Sequence, residues 1–148
     1  MAEPTVLLLS GPNLALLGER EPEIYGSATL KDYVGRARAA ALQYALTLEH
    51  FQSEAEADLV LEVHRARGRV AAIIINAGAL THYGWSLHDA LASFSGPVIE
   101  LHLSNPGARE SFRHQSVIAP VAAGTIAGFG GFGYELAIEA AAQLIGAR

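Results

Sequence analysis

The chain has 148 residues, of which 51% are apolar, so it is long enough for a single catalytic-sized domain over residues 1–148 and too apolar to be disordered. Its net charge of −5 argues against nucleic-acid binding, and the absence of cysteine removes disulfides, thiolate nucleophiles and cysteine-ligated metals. No apolar run approaches the ~20 residues of a membrane span, and the N-terminus has neither a basic start nor a hydrophobic signal segment, so a cytoplasmic protein with no membrane partner is expected.

Residues 6–9 are hydrophobic without alternation, as in a strand covered on both faces. The Gly11-Pro12 break turns the chain sharply and presents Asn13. A polar loop follows that carries Arg20 and Tyr25, is bounded by Gly18 and Gly26, and is stiffened by Pro22, which reads as a movable lid. Thr29 with Asp32 resembles a capping box and opens a helix to about residue 46. Lys31, the only lysine, lies in that helix and looks exposed and ordinary, so a Schiff-base mechanism would have no other lysine to use. Residues 47–51 form a second strand, and Ser53 with Glu56 signals a helix through residue 66 with Leu59, Val60 and Val63 inward. Residues 70–75 are the most strand-like segment and end at Asn76-Ala77-Gly78. A loop with Thr81 and His82 leads to a helix over about residues 86–94, then to a fourth strand over 97–102. The Ser104-Asn105-Pro106-Gly107 turn precedes a short helix carrying Arg109 and Arg113. A fifth strand over 124–127 and an alanine-rich helix over 134–145 close the chain.

Five alternating strands and helices, with no repeat or linker, predict a parallel sheet with helices on both faces. The expected architecture is α/β: a three-layer, doubly wound, flavodoxin-like five-stranded sheet in the order 2-1-3-4-5. Ligands in that topology bind beyond the carboxyl ends of the strands, at the switch point beside strands 1 and 3. Asn13, Asn76, His102 and Ser104 fall at that rim, with Arg109 and Arg113 just beyond, so four separate stretches converge there.

Glu100 and His102 are two apart in a strand and share a face. A carboxylate behind an imidazole holds a proton on the ring and suits a general acid; the alternative is two side chains with separate structural partners. Arg109 and Arg113, four apart, would share one helical face and bind an anion or hydroxyls, or form a solvated basic surface. A free Tyr titrates near pH ~10, and bringing Tyr25 to about 7 takes roughly 4 kcal/mol in favour of phenolate. One or two guanidinium groups in a partly dry site supply that, so Tyr25 is expected to be a base activated by arginine. His82 is a candidate substrate contact or a loop-packing residue, and Asp89 reads as a surface or interface residue. His50, His64 and His114 carry less, and no His/Asp/Glu spacing resembles a zinc or iron site, so no metal is expected. The run from Gly128 to Gly133 satisfies G-x-G-x-x-G, but no strand follows and no acidic residue lies ~20 positions on, so its glycines point to a tight turn and close helix approach. A phospho-receiver would need acidic residues after strands 1 and 3 and a Lys after strand 5, and an FMN carrier a Ser/Thr/Gly-rich phosphate loop after strand 1. The chain has neither set.

Gly11-Pro12-Asn13, the segment from Gly18 to Gly26, Phe51-Gln52-Ser53, Ile75-Asn76-Ala77-Gly78 with Thr81-His82, the segment from Glu100 to Asn105, and Arg109-Glu110-x-Phe112-Arg113 occur in this order. Together they resemble the type II 3-dehydroquinate dehydratases over nearly the whole chain. The resemblance implies a flavodoxin-like fold, no metal or cofactor, and a dodecamer of four trimers. It further implies that Tyr25, made basic by Arg20 and Arg113, takes a proton from the carbon beside the ketone of 3-dehydroquinate. Asn13 would hold a water at the enolate, and His102, backed by Glu100, would protonate the departing hydroxyl. Asn76 and the backbone amides of Leu103 and Ser104 would hold the carboxylate, His82 and Arg113 the ring hydroxyls, and Asp89 would arrive from a neighbouring subunit. The chain departs from the family pattern at Ala15, at Glu54 where Asn is common, at Tyr83-Gly84-Trp85, and at His88 where Arg is usual.

Overall fold

The computed structural model describes residues 2–146 and, for Tyr25, the backbone alone. Five parallel strands, β1 (Thr5–Ser10), β2 (Thr47–Gln52), β3 (Ala72–Asn76), β4 (Val98–His102) and β5 (Gly124–Ala127), lie in the order β2-β1-β3-β4-β5. This is the flavodoxin-like order expected from the alternation of elements. Strand parity sorts the core into two halves. Val6, Leu8, Ile74 and Leu101 face α2 (Leu30–Gln43) and α5 (Phe132–Ile145), whereas Leu7, Leu9, Ile73 and Ile75 face α3 (Glu56–Ala66) and α4 (Trp85–Ala92). Burial on both faces explains why β1 and β3 read as unbroken apolar runs. Among the described residues, no helix is long and apolar enough to cross a membrane.

The capping box at α2 forms as expected: Asp32 N donates to Thr29 Oγ1 at 3.2 Å and Thr29 N to Asp32 Oδ2 at 2.9 Å. The helix stops at Gln43 rather than near residue 46, because Ala45 turns left-handed (φ 53) and Leu46 N bonds back to Ala41 O. Ser53 is not the cap of α3, which starts after Ala55. Its hydroxyl instead accepts from Ala55 N and donates to Asp58 Oδ2. Leu59 and Val63 are buried, while Val60 is only half-buried. Glu56 reaches across to α4, where its Oε2 accepts from Leu87 N at 3.0 Å.

Two further segments differ from the sequence reading. The lid is partly folded: a 3-10 turn at Leu14–Leu16 precedes Gly18, and a one-turn helix α1 (Pro22–Tyr25) lies between Gly18 and Gly26, two glycines at positive φ. Arg109 and Arg113 do not share a helical face, since the chain makes two separate 3-10 turns, Pro106–Ala108 and Ser111–Arg113. Arg109 sits between them in extended backbone; Asn105 Oδ1 caps the first turn through Gly107 N, and the Pro106-Gly107 pair cannot propagate a longer helix. Gly131, in the glycine run before α5, lies against the Tyr33 ring so closely that a Cβ would overlap it. That glycine serves the approach of α5 to α2, where Tyr33 and Tyr134 stack at 5.4 Å.

Candidate active site

The carboxyl ends of β1, β3 and β4 and the segments that leave them enclose a cavity of about 100 Å³. Drug- and cofactor-sized sites are roughly 300–1,000 Å³, so this volume suits a small, compact ligand. Asn13, Arg20, Asn76, His82, His102, Leu103, Ser104, Arg109 and Arg113 line it. Sequence stretches separated by up to a hundred positions are thereby brought to one place.

His102, at the end of β4, bonds Glu100 through Nε2 and Oε2 at 2.6 Å. Glu100 does not line the cavity; it lies behind His102 with 2% of its surface exposed. Its other contacts are hydroxyl donors, Ser116 Oγ at 2.7 Å and Thr125 Oγ1 at 3.1 Å. Burial pushes the Glu100 carboxyl upward, but bonds from His102, Ser116 and Thr125 outweigh it and leave the pKa below the ordinary value. An ionised carboxylate only accepts, so the proton on Nε2 is held toward Glu100 and Nδ1 is the nitrogen left for chemistry.

Asn76, buried at the end of β3, is oriented from two sides: its Nδ2 donates to Tyr134 Oη at 3.4 Å and its Oδ1 accepts from Gly78 N at 3.3 Å. Tyr134 is itself no base, because burial pushes its phenol up to about 12. Gly78 has φ +61, and a Cβ there would press on the Pro12 carbonyl, so this glycine lets the β3 turn close on the Asn13 turn. Asn13 takes a left-handed conformation (φ 69), and its side chain makes no cap bond to the turn that follows.

The cavity holds three guanidinium groups. Arg113 Nε donates to Glu110 Oε1 at 3.0 Å, and its guanidinium lies 4.6 Å from the centre of the Phe112 ring. Arg109 Nη1 donates to Ser104 Oγ at 3.3 Å, and Arg20 pairs with Glu21 at 3.4 Å. The Tyr25 side chain lies outside the described residues. His82 donates from Nδ1 to Gln115 O at 2.7 Å, which leaves Nε2 to face a ligand. Asp89 is not among the residues lining the cavity; its side chain is 84% exposed on α4, 4.0 Å from His88 Nε2. Among the described residues, no group of three His, Cys, Asp or Glu side chains could hold a metal ion.

Sequence reasoning missed the hydroxyl partners of Glu100, because Ser116 and Thr125 reach it from 16 and 25 positions away. Also missed were the support of Asn76 by Tyr134 and the contacts of residues 52–54 with the Asn13 turn. Gln52 and Glu54, two apart at the end of a strand beside the first, were the available signal for that last set.

The Dehydroquinase class II family model matches residues 4–142, and the chain belongs to that family. It is 53% identical over 146 residues to the 3-dehydroquinate dehydratase of Hyphomonas neptunium, covering 99% of this chain and 97% of that protein. It is 48% identical over 140 residues to the catabolic 3-dehydroquinase 2 of Aspergillus terreus, covering 95% of each. Among solved structures, it resembles the type II dehydroquinase of Propionibacterium acnes with a TM-score of 0.91 and 41% identity, covering 95% of this chain and 97% of that one.

Proposed function

We propose that the chain is a type II 3-dehydroquinate dehydratase, a hydro-lyase converting 3-dehydroquinate to 3-dehydroshikimate and water through an enolate. The observation that carries this reading is the buried Glu100–His102 pair at 2.6 Å, opening on a small cavity with Asn13, Asn76 and three arginines. In the proposed mechanism the Tyr25 phenolate takes a proton from the carbon beside the ketone, and charge moves to the ketone oxygen. A water held by Asn13 stabilises that enolate, a donor set in place before the charge develops. His102, protonated on both nitrogens, gives its proton to the departing hydroxyl, which leaves as water, and the imidazole stays anchored on Glu100. Tyr25 then loses its proton to solvent and His102 regains one. Asn76 with the amides of Leu103 and Ser104 holds the substrate carboxylate; His82 and Arg113 hold ring hydroxyls. No metal or organic cofactor enters this scheme.

The working form in this reading is a dodecamer of four trimers of single-domain catalytic subunits in the cytoplasm, with Asp89 contributed across the trimer interface. The reaction serves the shikimate pathway of aromatic amino acid biosynthesis or quinate breakdown; one relative is named as a catabolic enzyme. The direct test adds 3-dehydroquinate to the purified protein and follows enone absorbance. Absorbance is expected to rise with the wild-type protein and not with Tyr25→Phe, which removes the base and almost no surface. A flat trace from the wild type refutes the activity, and full turnover by Tyr25→Phe refutes the base.

A further inference from the structure

Residues 52–54, just past the site, hold the turn that carries Asn13. Gln52 Nε2 donates to Gly11 O at 3.2 Å and to Glu54 Oε2 at 2.6 Å, and the other carboxylate oxygen of Glu54 accepts from the backbone N–H of Asn13 at 2.9 Å. Ser53 N donates to Ser10 O at 3.1 Å, so β2 and its exit loop grip three of the four residues 10–13. The opposite side of the turn is held by β3, where Gly11 N donates to Asn76 O at 2.8 Å and Gly78 packs under Pro12.

Asn13 needs that support. Its φ of 69 lies in the left-handed region, its side chain makes no cap bond, and its backbone N–H ends on a side chain from the loop after β2 instead of on a local carbonyl. We propose that Glu54 is a positioning residue for Asn13: its carboxylate clamps the Asn13 N–H, with Gln52 as a brace, and so aims the Asn13 amide into the cavity. Glu54 touches no substrate in this arrangement, and it does not line the cavity. The clamp uses both oxygens of one carboxylate, which an ionised side chain provides and a protonated one provides less well. The Asn13 N–H, then the Gln52 amide, draw the Glu54 pKa below the ordinary value, so the clamp is charged across the neutral range.

The proposal rests on the dehydratase reading, and the test separates the two. Steady-state kinetics on 3-dehydroquinate would be measured for the wild type, Glu54→Ala, Glu54→Gln, Asn13→Gly and the Glu54→Ala/Asn13→Gly double variant, with thermal melts of each. Glycine at position 13 accepts positive φ and removes only the amide. Glu54→Ala is expected to lower kcat about tenfold with KM within twofold, since an oriented donor acts on the developing charge more than on ground-state binding. Glu54→Gln, which keeps an acceptor for Asn13 N, is expected to recover most of kcat. In the Asn13→Gly background, removing Glu54 is expected to change nothing further, because there is no amide left to aim. Multiplicative effects of the two substitutions, an unchanged kcat in Glu54→Ala, or a loss of kcat matched by a collapsed melting temperature each overturn the clamp while leaving the activity standing. An inactive wild type overturns the dehydratase reading, and the clamp's catalytic role with it.

Discussion

At the scale of single residues, proton placement in the site follows from what each side chain touches. Glu100 has three donors and little water, so it stays charged and holds His102 by one fixed nitrogen. That pairing was legible in the sequence, because two residues apart on a strand means one face. Its reinforcement by Ser116 and Thr125 was not legible, since no spacing rule links a strand to a hydroxyl that arrives after two more turns of chain. The arginines were legible as residues but not as geometry. Arg113 is braced by Glu110 and stacked on Phe112, and Arg109 is turned onto Ser104, an arrangement set by the Pro106-Gly107 break rather than by helical spacing. If Arg20 lowers the Tyr25 pKa, Arg20→Ala should cut kcat by several orders of magnitude and move the alkaline-rising limb of the pH–rate profile upward by one unit or more. A profile of unchanged shape would count against arginine tuning.

At the scale of elements, apolar runs bounded by Gly, Pro and Asn made β1 and β3 legible, because burial on both faces leaves them no polar alternation. Element ends were less legible. Ser53 bonds forward to Asp58 instead of capping, and Ala45 takes a positive φ that composition does not announce. The outer strand β2 contains a further consequence of packing. His50 Nε2 is hydrogen-bonded to the buried Ser10 hydroxyl at 2.8 Å beneath α2. Burial first, and the Arg38 charge second, lower its pKa from 6.5 to about 4. The unfolded chain binds this proton near pH 6.5 and the folded chain only near 4, so His50 leaves stability untouched above that window and erodes it as pH falls through it. Urea midpoints measured from pH 7 to 4.5 should therefore decline less steeply in His50→Gln, which keeps an acceptor for Ser10 and cannot titrate. Equal slopes would mean that His50 takes up its proton as readily in the folded chain as in the unfolded one.

At the scale of the whole molecule, the described chain gathers most of the proposed site residues into one cavity, sets Glu100 behind it and leaves Asp89 exposed on α4. In the proposed trimer Asp89 would reach a neighbouring subunit's site, and complementation tests this. Tyr25→Phe and Asp89→Ala subunits, unfolded together and reassembled, should recover part of the activity that each lacks alone, because some sites then combine an intact tyrosine with a partner's intact aspartate. Activity equal to the average of the two separate preparations would place Asp89 outside the site. The Tyr134 phenol bears on how the proposed base, Tyr25, can be seen. Held at about 12, it stays dark in any ultraviolet titration below that range, and ordinary phenols ionise only near pH ~10. A tyrosinate difference spectrum that develops between about pH 6 and 8 would thus not come from Tyr134, and in the proposed mechanism it should vanish in Tyr25→Phe. The molecule then carries its own optical reporter for the proton on which turnover depends.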